Sequence, residues 1–465
     1  MSDAGAPDAI VAGAGLAGSL MALYLARRGY RVRVLDRRPD PAAGGAAADP
    51  GRSINLGMSQ RGIRALHQVG LLPSAELTAR TVPMRGRVVH GPDGSLTFQP
   101  YGTADDQILH SVLRADLNRA LIDAAQALPS VEFCFGGRVV ELDRDAPAVI
   151  TVDEPTGEHT KHTAALVIGA DGAHSAVRTL LQHGSRSELH REYLDWGYKE
   201  LTIPADPRIR LEALHVWPGG SAGLIVAHPN VDGSLTATVF LPFEGRHSFA
   251  TLDRPDRIES FFRATFPDTL ELIADLAAQF QRHPASAMVA VRTAPWQYAG
   301  KVVLIGDAAH AVYPFYGQGM NAAFEDCTVL DGCIGRHPGD HAAALREFQA
   351  RRKPHTDVLA ELTARNFVEL RDRLRSPMFL ARKRADLVLS RMFPRSWVPL
   401  YTMVSHTTVP YADALARARR QDRLLAASVA GLAGLAGLAG AAGLIGSGAP
   451  GAGSRRIHGS DHRRA

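Results

Sequence analysis

Three runs of hydrophobic residues along the chain are each followed at once by a glycine-containing turn and then by a helix-compatible pattern. The runs are residues 8–12, 164–168 and 301–305. Short, continuously apolar strands that alternate with helices are typical of a parallel sheet covered on both faces. The pattern therefore predicts an α/β, doubly wound domain.

Two other stretches have a different pattern. Residues 190–285 are rich in polar-apolar alternation, as in 235–241, which predicts strands with one covered face. Residues 341 to about 422 are mainly helical in periodicity, for example 358–375. We expect a mixed β-sheet inserted into the doubly wound domain, followed by a helical region.

The length, charge and cysteine content of the chain limit the classes of protein to which it can belong. The 465 residues are enough for about two to three domains. The net charge of +5 is spread without a like-charged block, so we expect no nucleic-acid partner. The three cysteines have no metal-ligand spacing and favour a reducing compartment, by default the cytoplasm, and residues 1–7 lack the basic start of a signal peptide.

The first glycine turn has the form of a dinucleotide fingerprint. Gly13 makes the tight turn, Gly15 admits a pyrophosphate against the helix amino terminus, and Gly18 lets helix and strand pack closely. Asp36 ends the next predicted strand and can hold a ribose hydroxyl. The neighbouring Arg37 and Arg38 face solvent or the adenine, since the acid would repel a 2′-phosphate, and we expect FAD or NAD here.

The last turn carries a second cofactor signature. Asp307 follows a strand and can accept hydrogen bonds from sugar-like hydroxyls, while Gly317 and Gly319 let backbone amides approach a planar ring. A helix over residues 322–330 begins just beyond. This combination predicts a site for a large heterocycle linked to a polyol.

Three further residues are candidates for the same cofactor. Arg52 can reach a pyrophosphate or a flavin, and Arg114 stands close to the start of a predicted helix, where a cation indicates an anionic partner. Asp171 follows the middle strand, in a turn where Ser175 is expected to cap the next helix.

In this order and spacing, these three turns resemble the signatures of the single-component FAD-dependent aromatic hydroxylases. Within that group the chain is similar to the kynurenine 3-monooxygenase family over about residues 8–420. The matching segments are 51–56, 84–87, 100–102, 198–201, 217–218, 314–321, 366–369 and 399–404.

The resemblance implies a domain plan. The FAD-binding domain would comprise residues 1–88, 102–188 and 286–345. A substrate domain of mixed β-sheet would comprise 89–101 and 189–285. A helical region, 346–422, and an Ala/Gly-rich tail, 423–465, would complete the chain.

The resemblance also implies an activity. NADPH, bound transiently, would reduce FAD, and O2 would form a flavin C4a-hydroperoxide that hydroxylates L-kynurenine at the ring 3-position. The aniline amine activates its own ortho carbon, so no catalytic side chain and no metal are expected. His310 is interpreted as a structural residue rather than a base.

Site residues follow from the resemblance. Those implied for the substrate carboxylate are Arg87, Tyr101, Asn366 and Tyr401, and those implied for the ring are Phe240, His228, Pro314 and Phe315. Met320 and Asn321 join Gly317 and Gly319 at the flavin. His228 departs from the family, where a leucine usually faces the ring: either the ring carries an extra polar substituent, or the protein satisfies the imidazole and the substrate is kynurenine itself.

Three rival functions remain to be weighed. A flavin halogenase is disfavoured because the four tryptophans are isolated. A tailoring hydroxylase of a substituted kynurenine, or of another anthraniloyl compound, shares every motif above. A non-catalytic FAD-binding protein would be expected to carry bulky replacements between residues 317 and 321, and none is present.

The tail permits two interpretations. Residues 424–446 contain no charge and are long enough to span a bilayer, which would allow membrane contact. Glycine recurs at every third position from Gly431 to Gly446, which lowers helix propensity. We therefore expect a flexible, low-complexity segment rather than an anchor.

Overall fold

The three hydrophobic runs form neighbouring strands of one six-stranded sheet. The computed structural model describes residues 6–41, 55–102, 104, 106–183, 186–374 and 376–446. In spatial order the strands of this first sheet are β18 (Gln297–Tyr298), β19 (Val302–Leu304), β12 (Leu166–Gly169), β1 (Ala9–Ala12), β2 (Val32–Asp36) and β8 (Val131–Phe135). All neighbours are parallel except β18 and β19. The predicted doubly wound, Rossmann-like domain is confirmed.

Helices cover the first sheet because its central strands are apolar on both faces. Strands β1, β12 and β19 are buried throughout, so both of their faces need a cover. The helices up to residue 336 that accompany this sheet are α1 (Leu16–Arg27), α2 (Gln60–Gln68), α3 (Ala75–Ala79), α4 (Arg114–Gln126), α5 (Ala176–Gln182), α9 (Asp307–His310) and α10 (Gly319–Arg336). One core cluster joins the strands to α1, α4, α5 and α10.

A seven-stranded mixed sheet forms a roof beside the first domain. Its strands, in spatial order, are β17 (Ser286–Ala294), β13 (Glu188–Ile203), β16 (Leu235–Pro242), β15 (Leu224–Pro229), β14 (Ala213–Pro218), β5 (Gly86–His90) and β6 (Leu96–Pro100). Only the β14–β5 pair is parallel. On one face Ile225 and Val239 pack with helices α6 (Pro255–Thr265), α7 (Thr269–Leu272) and α8 (Leu276–Arg282). The other face, with Val216 and Phe240, packs with Phe315 and Phe367.

Two three-stranded sheets complete the β-structure of the described residues. Strands β3 (Asn55–Met58), β7 (Leu109–Leu113) and β4 (Thr81–Met84) form one, and β11 (His159–Thr163), β10 (Ala148–Asp153) and β9 (Gly137–Asp143) form the other. The first connects the FAD-type turns to strand β5 of the roof.

The carboxyl-terminal part is helical, as the periodicity predicted. Its helices are α11 (His341–Val368), α12 (Pro377–Met392), α13 (Leu400–Ser405) and α14 (Tyr411–Gly446). A π-helical turn, Glu369–Arg373, follows α11 directly.

The prediction of a flexible segment from residue 424 is wrong, since α14 continues to Gly446. Alanine and leucine, which are good helix formers, stand between the glycines. Residues 416–465 form a unit separate from residues 1–415. Across the part of the chain described here, no helix combines the length and the apolar character needed to cross a membrane.

Candidate active site

Sheet order brings the three glycine turns to one edge. Strands β1, β12 and β19 are adjacent and parallel, with Ala12 opposite Gly169 and Gly169 opposite Leu304. Their carboxyl ends therefore meet at the same place. The turns that hold Gly13, Asp171 and Asp307 lie side by side, in the crevice where open α/β sheets bind ligands.

The first turn needs glycine at two positions and leaves open space at a third. Gly13 has a φ of +108°, and a Cβ there would lie 2.5 Å from the Ala170 carbonyl oxygen. A Cβ on Gly18 would lie 1.8 Å from the Gly13 carbonyl oxygen. A Cβ on Gly15 would meet no atom within 4 Å, so the backbone there faces open space at the start of α1. This cradle fits a pyrophosphate, and the residues present fit a dinucleotide cofactor.

Asp36 lies at the end of β2 and is engaged by the protein. Its carboxylate accepts the Ala14 amide at 2.7 Å and the Arg38 guanidinium at 2.8 and 2.9 Å. Burial raises the pKa of Asp36, but the hydrogen bonds from Arg38 outweigh burial and hold it below the usual range. Arg37 and Arg38 are both exposed, as expected, and Arg38 in addition pairs with Asp36. Arg52 lies outside the described residues.

Asp171 and Asp307 end neighbouring strands but have different surroundings. The Asp171 carboxylate accepts hydrogen bonds from the Ser175 hydroxyl at 2.5 Å and from the amides of Ala176 and Val177 at 2.7 and 3.0 Å. It thus caps α5 together with Ser175, which accepts from the Arg178 amide. Asp307 is exposed, and its carboxylate accepts no hydrogen bond from the described residues. The geometry leaves Asp307 available to hydroxyl groups of a ligand.

A buried charged network holds the turn that presents Asp307. Gly306 has a φ of +57°, and its amide donates to Asp326 at 2.8 Å. Asp326 is fully buried and also binds His310 at 2.6 Å and Arg352 at 2.7 Å. His310 therefore has the structural role expected of it.

The Gly317 turn is braced from α10. Gly317 is in the left-handed region, with a φ of +63°, and a Cβ there would meet nothing within 4 Å. The Asn321 side-chain amide donates to the carbonyls of Gly57 and Gly317, and its oxygen accepts the Ser59 amide. Gly319 and the buried Met320 begin α10, whose amino-terminal amides face this turn. Such a helix start favours negative charge on a bound ring.

Arg114 is the first residue of α4 and is exposed. Burial raises the pKa of the Tyr198 phenol on roof strand β13, and the charge of Arg114 acts against that rise. The charge of Arg114 therefore acts on a side chain of the roof sheet.

Three tyrosines and an arginine meet at the other end of the site. The ring of Tyr401 stacks on Tyr101 at 5.4 Å and on Tyr316 at 5.7 Å between centroids. Arg87 donates to the Gln99 side chain at 2.9 Å and has no ion pair among the described residues. Its positive charge lowers the pKa of all three phenols against the larger, opposite effect of burial. The Tyr101 hydroxyl is buried, and its hydrogen bond to the Tyr401 phenol adds to the rise in pKa that burial causes.

Aromatic rings line the space between this tyrosine cluster and the flavin-type turns. Phe315 contacts Phe240 at 5.0 Å and Phe367 at 4.4 Å between centroids. Pro314 precedes Phe315 and is exposed. Asn366 donates to the Phe315 carbonyl at 2.6 Å, so it orients this segment through its backbone.

Comparisons with known proteins agree with this arrangement. Residues 7–360 match the model of the FAD binding domain family. The chain is 57% identical over 427 residues to a kynurenine 3-monooxygenase of Salinispora arenicola, covering 91% of this chain and 93% of that one. It is 43% identical to the kynurenine 3-monooxygenase of Myxococcus xanthus, covering 92% and 91%.

The chain belongs to the kynurenine 3-monooxygenase family. It is an FAD-dependent flavoprotein hydroxylase. This disfavours two of the rival functions considered above, the flavin halogenase and the non-catalytic FAD-binding protein. Among solved structures it is similar in fold to PqsL of Pseudomonas aeruginosa, with a TM-score of 0.65 and 22% identity over 81% of this chain and 100% of that one.

His228, at which this member departs from the kynurenine 3-monooxygenase family, is partly buried on the roof sheet. It lies on β15 opposite Thr236, on the same face as Leu224 and Val226, which pack toward Phe240 and the site. No hydrogen bond from the described residues reaches its imidazole. Burial lowers its pKa to about 4, so the ring is neutral at pH 7.

Sequence reasoning did not select three residues that the structure places in or behind the site. Tyr316 stacks in the tyrosine cluster, Glu369 follows Asn366 by one helical turn, and Asp326 holds the Gly306 amide. Tyr316 and Glu369 stood inside quoted motifs, so motif membership was a usable signal. The sequence carried no such signal for Asp326, because an acidic residue within a helix is usually exposed to solvent. In the described ranges no group of three or more His, Cys, Asp or Glu residues could hold a metal ion.

Proposed function

We propose that this chain hydroxylates L-kynurenine at the ring 3-position, with FAD as cofactor and NADPH and O2 as co-substrates. The tyrosine cluster around Arg87 is the observation that carries the proposal. Its relatives are named kynurenine 3-monooxygenase, which supports the same substrate.

The proposal matches the chemistry of the pocket. A guanidinium grips a carboxylate through paired charge-assisted bonds, and phenols add oriented donors without charge. Arg87 supplies the cation, and the buried Tyr101 hydroxyl supplies a donor. Tyr401 stacks on Tyr101 and excludes water from the same end.

FAD, when bound, supplies the redox chemistry by which NADPH and O2 deliver one oxygen atom to the ring. The chain's own residues position and enclose the reactants. Gly15 and Asp36 would hold the diphosphate and ribose, Asp307 would hold the ribityl hydroxyls, and the amides at the start of α10 would face the flavin ring. Phe240 and Phe315 would hold the aromatic ring of the substrate.

The direct test is oxidation of NADPH by the purified flavoprotein. We expect L-kynurenine to stimulate it and mass spectrometry to find a product heavier by one oxygen atom. A protein that binds FAD but oxidises NADPH at the same rate with and without L-kynurenine would contradict the proposal. NADH in place of NADPH tests the nucleotide preference.

His228 supports a second candidate, a hydroxylase of a ring-substituted kynurenine. Its neutral imidazole has a donor and an acceptor, is only partly buried, and receives no hydrogen bond from the described residues. A polar ring substituent would satisfy it. Comparing kcat/KM for kynurenine and its ring-hydroxylated or ring-aminated analogues decides this, and a clear preference for kynurenine removes the second candidate.

We also propose a cytoplasmic location. Cys134, Cys327 and Cys333 are all free, which fits a reducing compartment. Fractionating cells that express the full chain tests this together with the alternative of membrane contact through residues 424–446. We expect the protein to remain in the supernatant after the membranes sediment.

A further inference from the structure

A chain of polar side chains lies behind the roof sheet, on the face that packs with helices α6 to α8. His90 at the end of β5 and His215 on β14 are buried there, and their ring nitrogens Nε2 and Nδ1 are 2.9 Å apart. The other ring nitrogen of His90 lies 2.5 Å from the Asp268 carboxylate, which also accepts the Trp217 indole N–H at 2.8 Å. The His90 ring stacks on Trp217 with 3.8 Å between centroids.

These hydrogen bonds define which ring nitrogens carry protons. His215 Nε2 lies 3.0 Å from the Arg210 carbonyl oxygen and therefore donates to it. Burial lowers the pKa of His215 to about 4, so its ring is neutral at pH 7 and its Nδ1 accepts from His90. Burial raises the pKa of Asp268, but the hydrogen bond and charge of His90 outweigh burial and hold it below the usual range. His90 therefore donates through both nitrogens, and the imidazolium and the carboxylate have 6% and 26% of their side chains exposed.

This ion pair anchors the strand that carries Arg87. Side chains alternate between the two faces of a strand, and Arg87 and His90 are three positions apart, so they point to opposite faces of the roof. On the site face, β5 packs through Val89. On the other face, His90 ties β5 to β14 and to Asp268 at the start of α7. The two histidines are 125 residues apart in the chain, so no short connection fixes β5 against β14.

We propose that His90 and Asp268 are positioning residues for substrate binding: their ion pair fixes β5 against β14 and thereby holds Arg87 where it grips the substrate carboxylate. The identity of that substrate rests on the proposed function. Gln99, the partner of Arg87, lies on β6, the largely exposed edge strand of the roof. A shift of β5 would carry the guanidinium and Gln99 with it, so the support behind β5 determines where the guanidinium lies.

The ion pair is tested first, in the wild-type flavoprotein without substrate. Nitrogen NMR of protein labelled at its histidine rings shows whether each imidazole carries one proton or two, and His90→Gln identifies the His90 signals. We expect both nitrogens of His90 to carry protons and His215 to carry one, on Nε2. A neutral His90 ring overturns the ion pair, and this result does not depend on which substrate the enzyme hydroxylates.

The positioning role is tested with Asp268→Asn, which keeps the shape and removes the charge. We expect Kd for L-kynurenine, read from flavin fluorescence, to rise about 10- to 100-fold, as for a small displacement of a binding group. FAD content and kcat should stay within about twofold of the wild type, because a binding contact common to all states affects KM alone. An unchanged Kd, or loss of FAD or of kcat to the same extent, overturns the assignment. Binding of kynurenine without hydroxylation contradicts only the proposed function.

Asp275→Asn is the matched control. Asp275 directly precedes α8, as Asp268 precedes α7, and both helices pack on the same face of the roof. Asp275 is exposed and accepts a hydrogen bond from Gln279 at 2.7 Å. We expect this variant to bind kynurenine like the wild type, and a matching loss in both variants would overturn the assignment.

A double-mutant cycle determines whether the effect passes through Arg87. When Arg87→Ala and Asp268→Asn are combined, we expect kynurenine to bind about as weakly as to Arg87→Ala alone, because no guanidinium remains to be positioned. Additive losses would mean that the ion pair acts independently of Arg87 and would overturn the proposal. If Asp268→Asn does not fold, His90→Gln replaces it in the cycle, and the same non-additive loss is expected.

Discussion

At the residue scale, the charge of Arg87 remains available for a carboxylate because its partner in the protein is neutral. Its guanidinium donates to the Gln99 amide oxygen, which orients the side chain without neutralising it. A carboxylate that enters the tyrosine cluster can then use the unpaired charge. Arg85, two residues earlier and exposed, lies 3.8 Å from Glu212 and provides a natural comparison.

Arg87→Ala should weaken kynurenine binding by about 2–5 kcal/mol, as when one partner of a buried charged pair is removed. FAD content should not change. Arg87→Lys should recover part of the loss, because an ammonium cannot reproduce the guanidinium fork. KM and substrate-stimulated NADPH oxidation measure the effect, with Arg85→Ala as a control that should match the wild type. An unchanged KM in Arg87→Ala would rule out this carboxylate site.

Asp171 and Asp307 follow neighbouring strands at equivalent positions but have different roles. Asp171 accepts three hydrogen bonds from the start of α5, and burial raises its pKa even so. Asp307 is exposed and accepts none from the described residues. The first carboxylate stabilises the fold, and the second is free for a ligand.

The two aspartates should therefore respond differently to substitution by alanine. Asp307→Ala should lower FAD occupancy and leave the free energy of unfolding of the apoprotein unchanged. Asp171→Ala should destabilise the apoprotein by about 0.5–2 kcal/mol, the usual effect of losing a helix cap. Flavin absorbance and urea denaturation separate the effects. Wild-type FAD retention in Asp307→Ala would argue against its place at the cofactor.

At the element scale, one buried network ties several segments to the Gly306 turn. Asp326 on α10 binds the Gly306 amide, His310 on α9 and Arg352 on α11. Arg352 also bonds to Glu325, which reaches Arg61 on α2. The turn that presents Asp307 is thus fixed by three helices.

Arg352→Met should destabilise the protein by about 3–5 kcal/mol, because it leaves the Asp326 charge buried without its main partner. FAD retention should fall as well, since the Gly306 turn loses its support. The neighbouring Arg351 pairs with Glu347 at the surface, and Arg351→Met should change stability by no more than about 0.5 kcal/mol. Thermal unfolding of both variants with and without added FAD makes the comparison; equal stability would show that the network is dispensable.

The first domain was predictable because its signals are local. A strand, a glycine turn and a helix follow one another within about thirty residues, and their spacing alone indicates which backbone atoms face a cofactor. The exposure of Arg38 was predicted, but its ion pair with Asp36 was not, because the pair depends on a side-chain geometry that spacing does not specify. The helical continuation of α14 was not predicted, because the low helix propensity of glycine is only weak evidence against a helix.

At the scale of the whole molecule, the substrate end of the site could be predicted only through resemblance. Arg87 and Tyr101 come from β5 and the segment after β6, while Asn366 and Tyr401 come from α11 and α13, hundreds of residues later. No periodicity links them. Tyr316 joins the same cluster by stacking on Tyr401, a contact that its place inside the 314–321 motif did not specify.

Among the described residues, those from 416 onward form a unit of their own. Asp422, Arg423 and Leu424 in this unit are exposed. We expect a chain ending at Asp422 to keep FAD content, KM for kynurenine and the free energy of unfolding to within about 0.5 kcal/mol, as for changes at exposed positions. A chain ending at Arg336 should lose FAD, because it lacks Arg352 and with it the support of the Gly306 turn. Loss of FAD or of activity in the chain ending at Asp422 would instead mean that residues beyond Asp422 are needed to hold the site.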